Sequence, residues 1–260
     1  MLTNLLLISL LYYIIDWNPN PYVFELGGGG IKWYGLMYAL AIMSGYFIAL
    51  RAYRIDEKDP RYIVRFIGYQ FLCAMIGARL WTVFFYEWSY FSEHPMEIIQ
   101  LWRGGLSSHG AILGIFLSVY LFHRNHKSPG QWWSLDVLSI IGAVTAAFIR
   151  LGNLFNSEIV GTASDLPWAF RFVAVDDIAR HPVVLYESLF YFAFAMILWI
   201  GWKRGLRRIS GLILGIFMAG MLTARIILEY LKQDASITQA YSLPFILFGV
   251  GMIIWALRSR

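Results

Sequence analysis

Charge and cysteine are what this sequence has least of. Only 14% of its 260 residues are charged, against roughly a quarter in a soluble domain. A water-soluble globule of this length needs a polar skin, and the residues for one are missing. The single cysteine, Cys73, excludes an internal disulfide framework and a cysteine metal site. There is no HExxH zinc pair, no phosphate loop and no pair of intramembrane aspartates. No metal and no cofactor is expected. A disordered chain is excluded from the other direction, because 59% of the residues are apolar and 18% aromatic.

What the sequence does have is apolar length, with a mean hydropathy of +0.59. Seven stretches reach or approach the roughly 20 residues a spanning helix needs: 34–50, 63–85, 109–122, 133–149, 183–202, 209–231 and 242–257. The third is short and relies on flanking residues or a locally thinner bilayer. The expected fold is an all-α membrane protein, a bundle of about seven transmembrane helices forming one domain over residues 1–260. Residues 32–260 make its core, with small ordered loops outside.

The net charge of +5 is compatible with nucleic acid, but the placement of the charges gives another account. The loops after the first, third and fifth spans, with the tail after the seventh, hold thirteen of the 21 Lys and Arg. The opposite side holds Lys32, Arg103, Arg171, Arg180 and Lys232, while Arg79, Arg150 and Arg225 lie within or at the ends of spans. The positive-inside rule then puts the N-terminus outside and the C-terminus in the cytoplasm. No nucleic-acid partner is needed to explain the excess.

Residues 4–15 form an apolar run too short to span comfortably and without a preceding Lys or Arg, a poor signal peptide. A helix lying along the outer surface is the expectation. The segment after it, with Pro19, Pro21 and the glycines at 27–30, reads as turns and a small hairpin. The outer loop 87–108 carries Trp88, Tyr90, Phe91 and Trp102, suited to the membrane interface. In the longest outer loop, 156–182, the stretch WAFRFVA (168–174) reads as a short strand. His123 and His126, beside Arg124 and Lys127, read as a solvated basic cap rather than a metal pair.

The chemically capable residues gather at the outer ends of the spans. Arg150 ends the fourth span and is followed by Asn153, Asn156, Glu158 and Gly161, with Arg150 and Asn153 on one helical face. His109 opens the third span. His181 precedes the fifth, with Tyr186 and Glu187 in its first turns. Arg225 and Glu229 are four apart on the sixth, and Tyr34 begins the first. Each has a plainer reading. Arg225 and Glu229 can neutralise one another, and Glu187 or Asp136 can be structural partners of arginines. Tyr34 suits an interfacial belt, and His109 alone suits packing. Arg79 reads as structural, paired with Glu187 or Glu229. Arg150 has no acid within a turn, so its partner is a ligand or another helix. As one site, two arginines with a His, an Asn and carboxylates fit an anionic headgroup held by guanidinium forks. No activated covalent nucleophile is in sight, so the nucleophile comes from a second substrate.

RLGNLFNSEIVG (150–161) resembles the signature of bacterial prolipoprotein diacylglyceryl transferases. GGLSSHGA (104–111), KWYGLMY (32–38), RHPVVLYE (180–187) and RIILEY (225–230) resemble further blocks of that family, in family order, from about residue 31 to the C-terminus. The family's seven spans and outside-to-inside course coincide with those from the charge count. The resemblance implies a multi-pass enzyme of the bacterial cytoplasmic (inner) membrane with two partners, phosphatidylglycerol and a prolipoprotein signal peptide bearing a lipobox cysteine. The diacylglyceryl group moves to the cysteine thiol, a thioether forms, and glycerol 1-phosphate leaves, the first step of lipoprotein maturation.

By the same resemblance Arg150 and Arg225 hold the lipid phosphate and His109 is the candidate acceptor of the thiol proton. Asn153, Glu158 and Gly161, with Asn156, shape the headgroup pocket, and Tyr34 and Glu229 orient substrate or arginines. His181, Tyr186 and Glu187 complete the substrate-binding set. The chain departs from the family pattern at Ile149, Leu154 and Ser108, and has Met221 where some members place a tyrosine one turn before the second arginine. A second class of function uses the same arginines: a transporter or flippase for an anionic lipid. Polar groups gathered toward one face favour the enzyme, since transporters place their sites near the midplane.

Overall fold

The computed structural model describes residues 14–26, 29–101, 104–126, 130–234 and 242–259. Helix dominates because the bilayer interior offers no partner to a free backbone N–H or C=O. The helices are α1 (Trp33–Ile55), α2 (Ile63–Trp81, prolonged by a π turn over Thr82–Tyr86), the short α3 (Trp88–Glu93), α4 (Ser108–Asn125), α5 (Gln131–Phe155), α6 (Val183–Lys203), α7 (Leu212–Glu229) and α8 (Leu243–Arg258). The strands are β1 (Ile15–Trp17), β2 (Tyr22–Leu26), β3 (Gly29–Lys32), β4 (Phe170–Phe172) and β5 (Ala179–Arg180).

Among the described residues, five helical stretches are long and apolar enough to cross a membrane: α1, Pro60–Tyr86, α5, α6 and α7. The other two of the expected seven fall short for physical reasons. Helix α8 has 16 residues. Helix α4 has 18, but it opens on Ser108 and His109 and closes on His123 and Arg124, which shortens its apolar run. Outward-facing side chains are apolar, as lipid requires: Leu189, Ile197 and Leu247 are each at least 60% exposed. The chain is a multi-pass membrane protein.

The chain divides into two compact units, residues 1–45 with 139–260, and residues 46–138. The division falls inside α1 and inside α5. In the first unit Ala143, Ala147, Tyr191, Ala195 and Met221 form a core from α5, α6 and α7, so Met221 fills packing space. Helices α7 and α8 meet at Gly215 and Gly249, where a Cβ on either would crowd the other's backbone. A second core joins Leu154, Phe170, Phe172 and Val184 beneath Trp17, whose indole Nε1 donates to the Leu154 carbonyl at 2.9 Å.

In the second unit α2 packs on α4 through Gly77, Gly110 and Gly114, with backbone so close that a Cβ on any of them would collide with the facing helix. Gln70 and Ser118 share a buried hydrogen bond of 2.6 Å between the same helices. His123 is buried, with Nδ1 at 2.8 Å from the Val119 carbonyl and Nε2 at 3.3 Å from Ser134 Oγ. The expected solvated cap is therefore corrected for His123, which is buried against Ser134 of the next helix.

The expected helix over residues 4–15 falls largely outside the described residues. Its last residue, Ile15, begins β1, which pairs in parallel with β4. Strands β2 and β3 form the expected antiparallel hairpin, and β4 occupies the stretch read as a strand. It also pairs with β5, giving the order β1-β4-β5.

Candidate active site

The first unit holds most of the residues singled out from the sequence. Arg150 lies near the C-terminal end of α5, and its Nε is 2.7 Å from Glu187 Oε2 on α6. The Glu187 side chain is wholly buried, and Arg150 is 12% exposed. The other oxygen, Oε1, is 3.0 Å from Lys232 Nζ, which donates to Glu229 Oε2 at 2.8 Å. At Glu187 these are contacts at ion-pair distance without hydrogen-bond alignment. Two cations and two carboxylates thus alternate, Arg150, Glu187, Lys232, Glu229, in a largely dry place. A buried carboxylate demands such company, because desolvating an unmatched charge is costly.

The expected face shared by Arg150 and Asn153 is present: Nη1 is 3.4 Å from Asn153 Oδ1. Asn153 passes the contact on, donating to Glu158 at 2.7 Å, while Asn156 donates to the second oxygen of Glu158 at 3.1 Å. Asn153 is buried, whereas Asn156 and Glu158 are exposed. Glu158 sits between two residues at positive φ, Ser157 (52°) and Ile159 (58°). A β-branched residue there is strained, so the surrounding contacts must hold this turn in place.

Two glycines allow close approaches that a side chain would block. A Cβ on Gly152 would lie 2.8 Å from the Tyr34 ring, so Tyr34 is seated against α5, within electrostatic reach of Glu158 and Arg150. A Cβ on Gly161 would collide with the His181 carbonyl. Gly161 also bridges antiparallel to Lys232, flanked by Thr162 N–H to Leu231 O at 2.8 Å and Gln233 N–H to Val160 O at 3.1 Å. On its other side, His181 N–H donates to Thr162 O at 3.0 Å. The long loop between α5 and α6 is thereby stitched to the end of α7 and the start of α6.

Arg180 strengthens this stitch. Its Nη1 donates to the Gly161 carbonyl at 3.0 Å and its Nη2 to Asp176 at 2.6 Å. The hydrogen bond from Arg180 holds the Asp176 carboxyl below the usual carboxylate range. His181 Nδ1 is 3.4 Å from Tyr186 Oη, which accepts from the Trp168 indole at 2.9 Å. Arg225, on α7, lies within electrostatic reach of Tyr191, as do Arg150 and Glu187.

His109 belongs to the second unit. It is buried at the start of α4, with Nδ1 3.1 Å from Tyr86 Oη. Ser107 Oγ is 3.4 Å from the same phenol. Arg79 corrects an expectation. Its guanidinium donates to the carbonyls of Ile98, Gly104 and Glu97 at 2.9, 2.7 and 2.6 Å and lies 4.7 Å from the Phe91 ring centroid. It is a structural arginine, but it ties down a loop through backbone oxygens instead of meeting Glu187 or Glu229. Phe91 is buried beneath it rather than resting in the interface.

Sequence reasoning passed over Lys232 and Tyr86. Lys232 was legible only as one more outer-side cation, because what places it between two carboxylates is a backbone bridge to a residue far away in the chain. Tyr86 had the signal of an aromatic immediately after the apolar run, a signal that many interfacial tyrosines share.

Comparison with known proteins shows the family. The family described as "Prolipoprotein diacylglyceryl transferase" matches residues 21–255. A protein of Chloroherpeton thalassium named phosphatidylglycerol–prolipoprotein diacylglyceryl transferase is 38% identical over 258 residues, covering 94% of this chain and 95% of the relative. Proteins of the same name from Tolumonas auensis and Porphyromonas gingivalis are 34% and 37% identical, over 95% and 94% of this chain and 99% and 95% of their own lengths.

Proposed function

This chain belongs to the prolipoprotein diacylglyceryl transferase family, and from that premise we propose how its buried charges serve the reaction. It is an enzyme, and its activity is phosphatidylglycerol-dependent diacylglyceryl transfer to prolipoproteins. In the proposed reaction a lipobox cysteine thiol attacks the glycerol carbon that carries the phosphate. A sulfur–carbon bond forms as the carbon–oxygen bond breaks. The electron pair leaves on the phosphate oxygen, giving glycerol 1-phosphate and a thioether.

The observation that carries this reading is the anchoring of Arg150. Glu187 and Asn153 fix its guanidinium, and a contact through Nε still leaves Nη hydrogens to fork onto a phosphate. Arg225 is proposed as the second phosphate ligand. Together they stabilise charge as it develops on the leaving group, the largest kind of contribution available without a covalent intermediate. Asn153, Asn156, Glu158 and Gly161 shape the headgroup pocket, Tyr34 and Glu229 orient it, and His181, Tyr186 and Glu187 border it. A thiol with a pKa of about 8.5 is mostly protonated at neutral pH, and His109 is the proposed acceptor of its proton, on the strength of the family resemblance.

The charge asymmetry supports an N-terminus outside and a C-terminus in the cytoplasm, in the cytoplasmic (inner) membrane of a bacterium, with the whole chain acting as one transferase domain. The test uses purified protein in lipid with labelled phosphatidylglycerol and a lipobox peptide. A thioether-linked diacylglyceryl peptide is expected, and a Cys→Ser peptide stays unmodified. Lipid crossing the bilayer with no modified peptide would replace this reading with the flippase.

A further inference from the structure

We infer that Lys232 is a positioning residue for diacylglyceryl transfer: by holding Oε1 of Glu187 it leaves Arg150 able to share its charge with the lipid phosphate. The inference rests on the reading that Arg150 binds that phosphate, and it adds a residue to which no role has been given.

The geometry is specific. Glu187 presents one oxygen to each cation, Oε2 to Arg150 at 2.7 Å and Oε1 to Lys232 at 3.0 Å. Its side chain is wholly buried and that of Lys232 is 6% exposed. If Arg150 were the only cation at a carboxylate this dry, turning the guanidinium toward a phosphate would strip a buried charge of its counter-charge. A second cation on the other oxygen removes that obstacle. The lysine is also placed with little freedom. Its backbone bridges to Gly161, its N–H donates to Glu229 O at 3.0 Å, and its ammonium is held by Glu229 at 2.8 Å. It lies just past the C-terminal end of α7, where the helix carbonyls favour a cation.

Charge counting points the same way. Arg150 and Lys232 balance Glu187 and Glu229, so an arriving phosphate meets a neutral quartet. Without Lys232 the quartet carries a net negative charge, which repels phosphate and pins Arg150 to Glu187. The lysine therefore acts through Arg150, and its loss falls on lipid binding more than on the chemical step.

Steady-state transfer at varied phosphatidylglycerol concentration, with the full-length protein in lipid and the peptide saturating, reads this directly. K232M is expected to raise KM for phosphatidylglycerol about tenfold or more with a smaller change in kcat, and K232R to stay within about threefold of the parent. Adding E187Q to K232M removes the unmatched carboxylate, so the double variant is expected to lie closer to the parent than the two single effects combined predict. K232Q replaces K232M in the same comparison if the methionine variant does not fold. An unchanged KM in K232M or K232Q while R150A is inactive overturns the role of Lys232 and leaves the phosphate reading standing. A fully active R150A overturns the phosphate reading itself. Strict additivity of K232M and E187Q in KM also overturns the role, since a lysine that supports only the fold couples to Glu187 in melting temperature and not in lipid binding.

Discussion

Arg150 Nε and Glu187 Oε2 lie 2.7 Å apart, joining α5 to α6 at a carboxylate that is wholly buried. The arginine proposed to bind the lipid phosphate is held by an acid on a different helix. Removing one partner of a buried pair costs about 3–5 kcal/mol, because the other charge is left desolvated. E187Q is therefore expected to lower the melting temperature in detergent and to reduce transfer sharply. A melting temperature and turnover both equal to the parent's would show that the pair does not anchor the guanidinium.

The contact between His109 Nδ1 and Tyr86 Oη at 3.1 Å ties the ring nitrogen that faces away from Nε2. If Nε2 is to accept the thiol proton, Nδ1 must carry the hydrogen and Tyr86 must accept it. H109Q is expected to cost about a hundredfold or more in turnover, in the range of general-base catalysis, and Y86F about tenfold. The pH–rate profile checks the roles: the acidic limb disappears in H109Q and shifts in Y86F. Substantial activity in H109Q with the limb intact removes the base role alone.

A Cβ at Gly161 would strike the His181 carbonyl, at the point where the long loop between α5 and α6 pairs with Lys232 and its neighbours. Overpacking of this kind costs about 1–3 kcal/mol. Gly161→Ala is expected to lower the melting temperature accordingly and to abolish transfer, while Gly104→Ala, whose Cβ would meet nothing, is penalised only by its positive φ. Equal behaviour of the two variants would contradict the stitched loop.

Much of the architecture was legible because its causes are local. Apolar runs of spanning length gave α1, α2, α5, α6 and α7, and the alternating WAFRFVA stretch gave β4. A spacing of three put Arg150 and Asn153 together. The features that escaped depend on partners far away in the chain or on groups that sequence does not distinguish. Lys232 finds Glu187 because residues 160–162 pair with residues 231–233. Arg79 finds carbonyls, and every residue has one. His123 is buried against Ser134, so the basic run around it misled. The absence of an acid within a turn of Arg150 left a ligand or another helix as its partner, and the fold supplies Glu187.

The Asp176–Arg180 pair makes the loop between α5 and α6 sensitive to acid. Arg180 holds the Asp176 carboxyl below its usual range, so the pair contributes stability above the ordinary carboxyl pKa of about 4. That contribution is lost as pH falls through the lowered value. Amide exchange across residues 160–181 is expected to accelerate in that acidic window, and D176N is expected to show the faster exchange already at neutral pH. Parental protection in D176N at neutral pH would mean that Arg180 holds the Gly161 carbonyl without help from Asp176.

The central claim is that Arg150 and Arg225 hold the phosphate that leaves. It is tested most directly by the turnover of R150A and R225A, each shown to be folded by its melting curve, in lipid with labelled phosphatidylglycerol and a lipobox peptide. The account predicts that both variants form no thioether above the level of a protein-free control. Near-parental turnover in either one would contradict it.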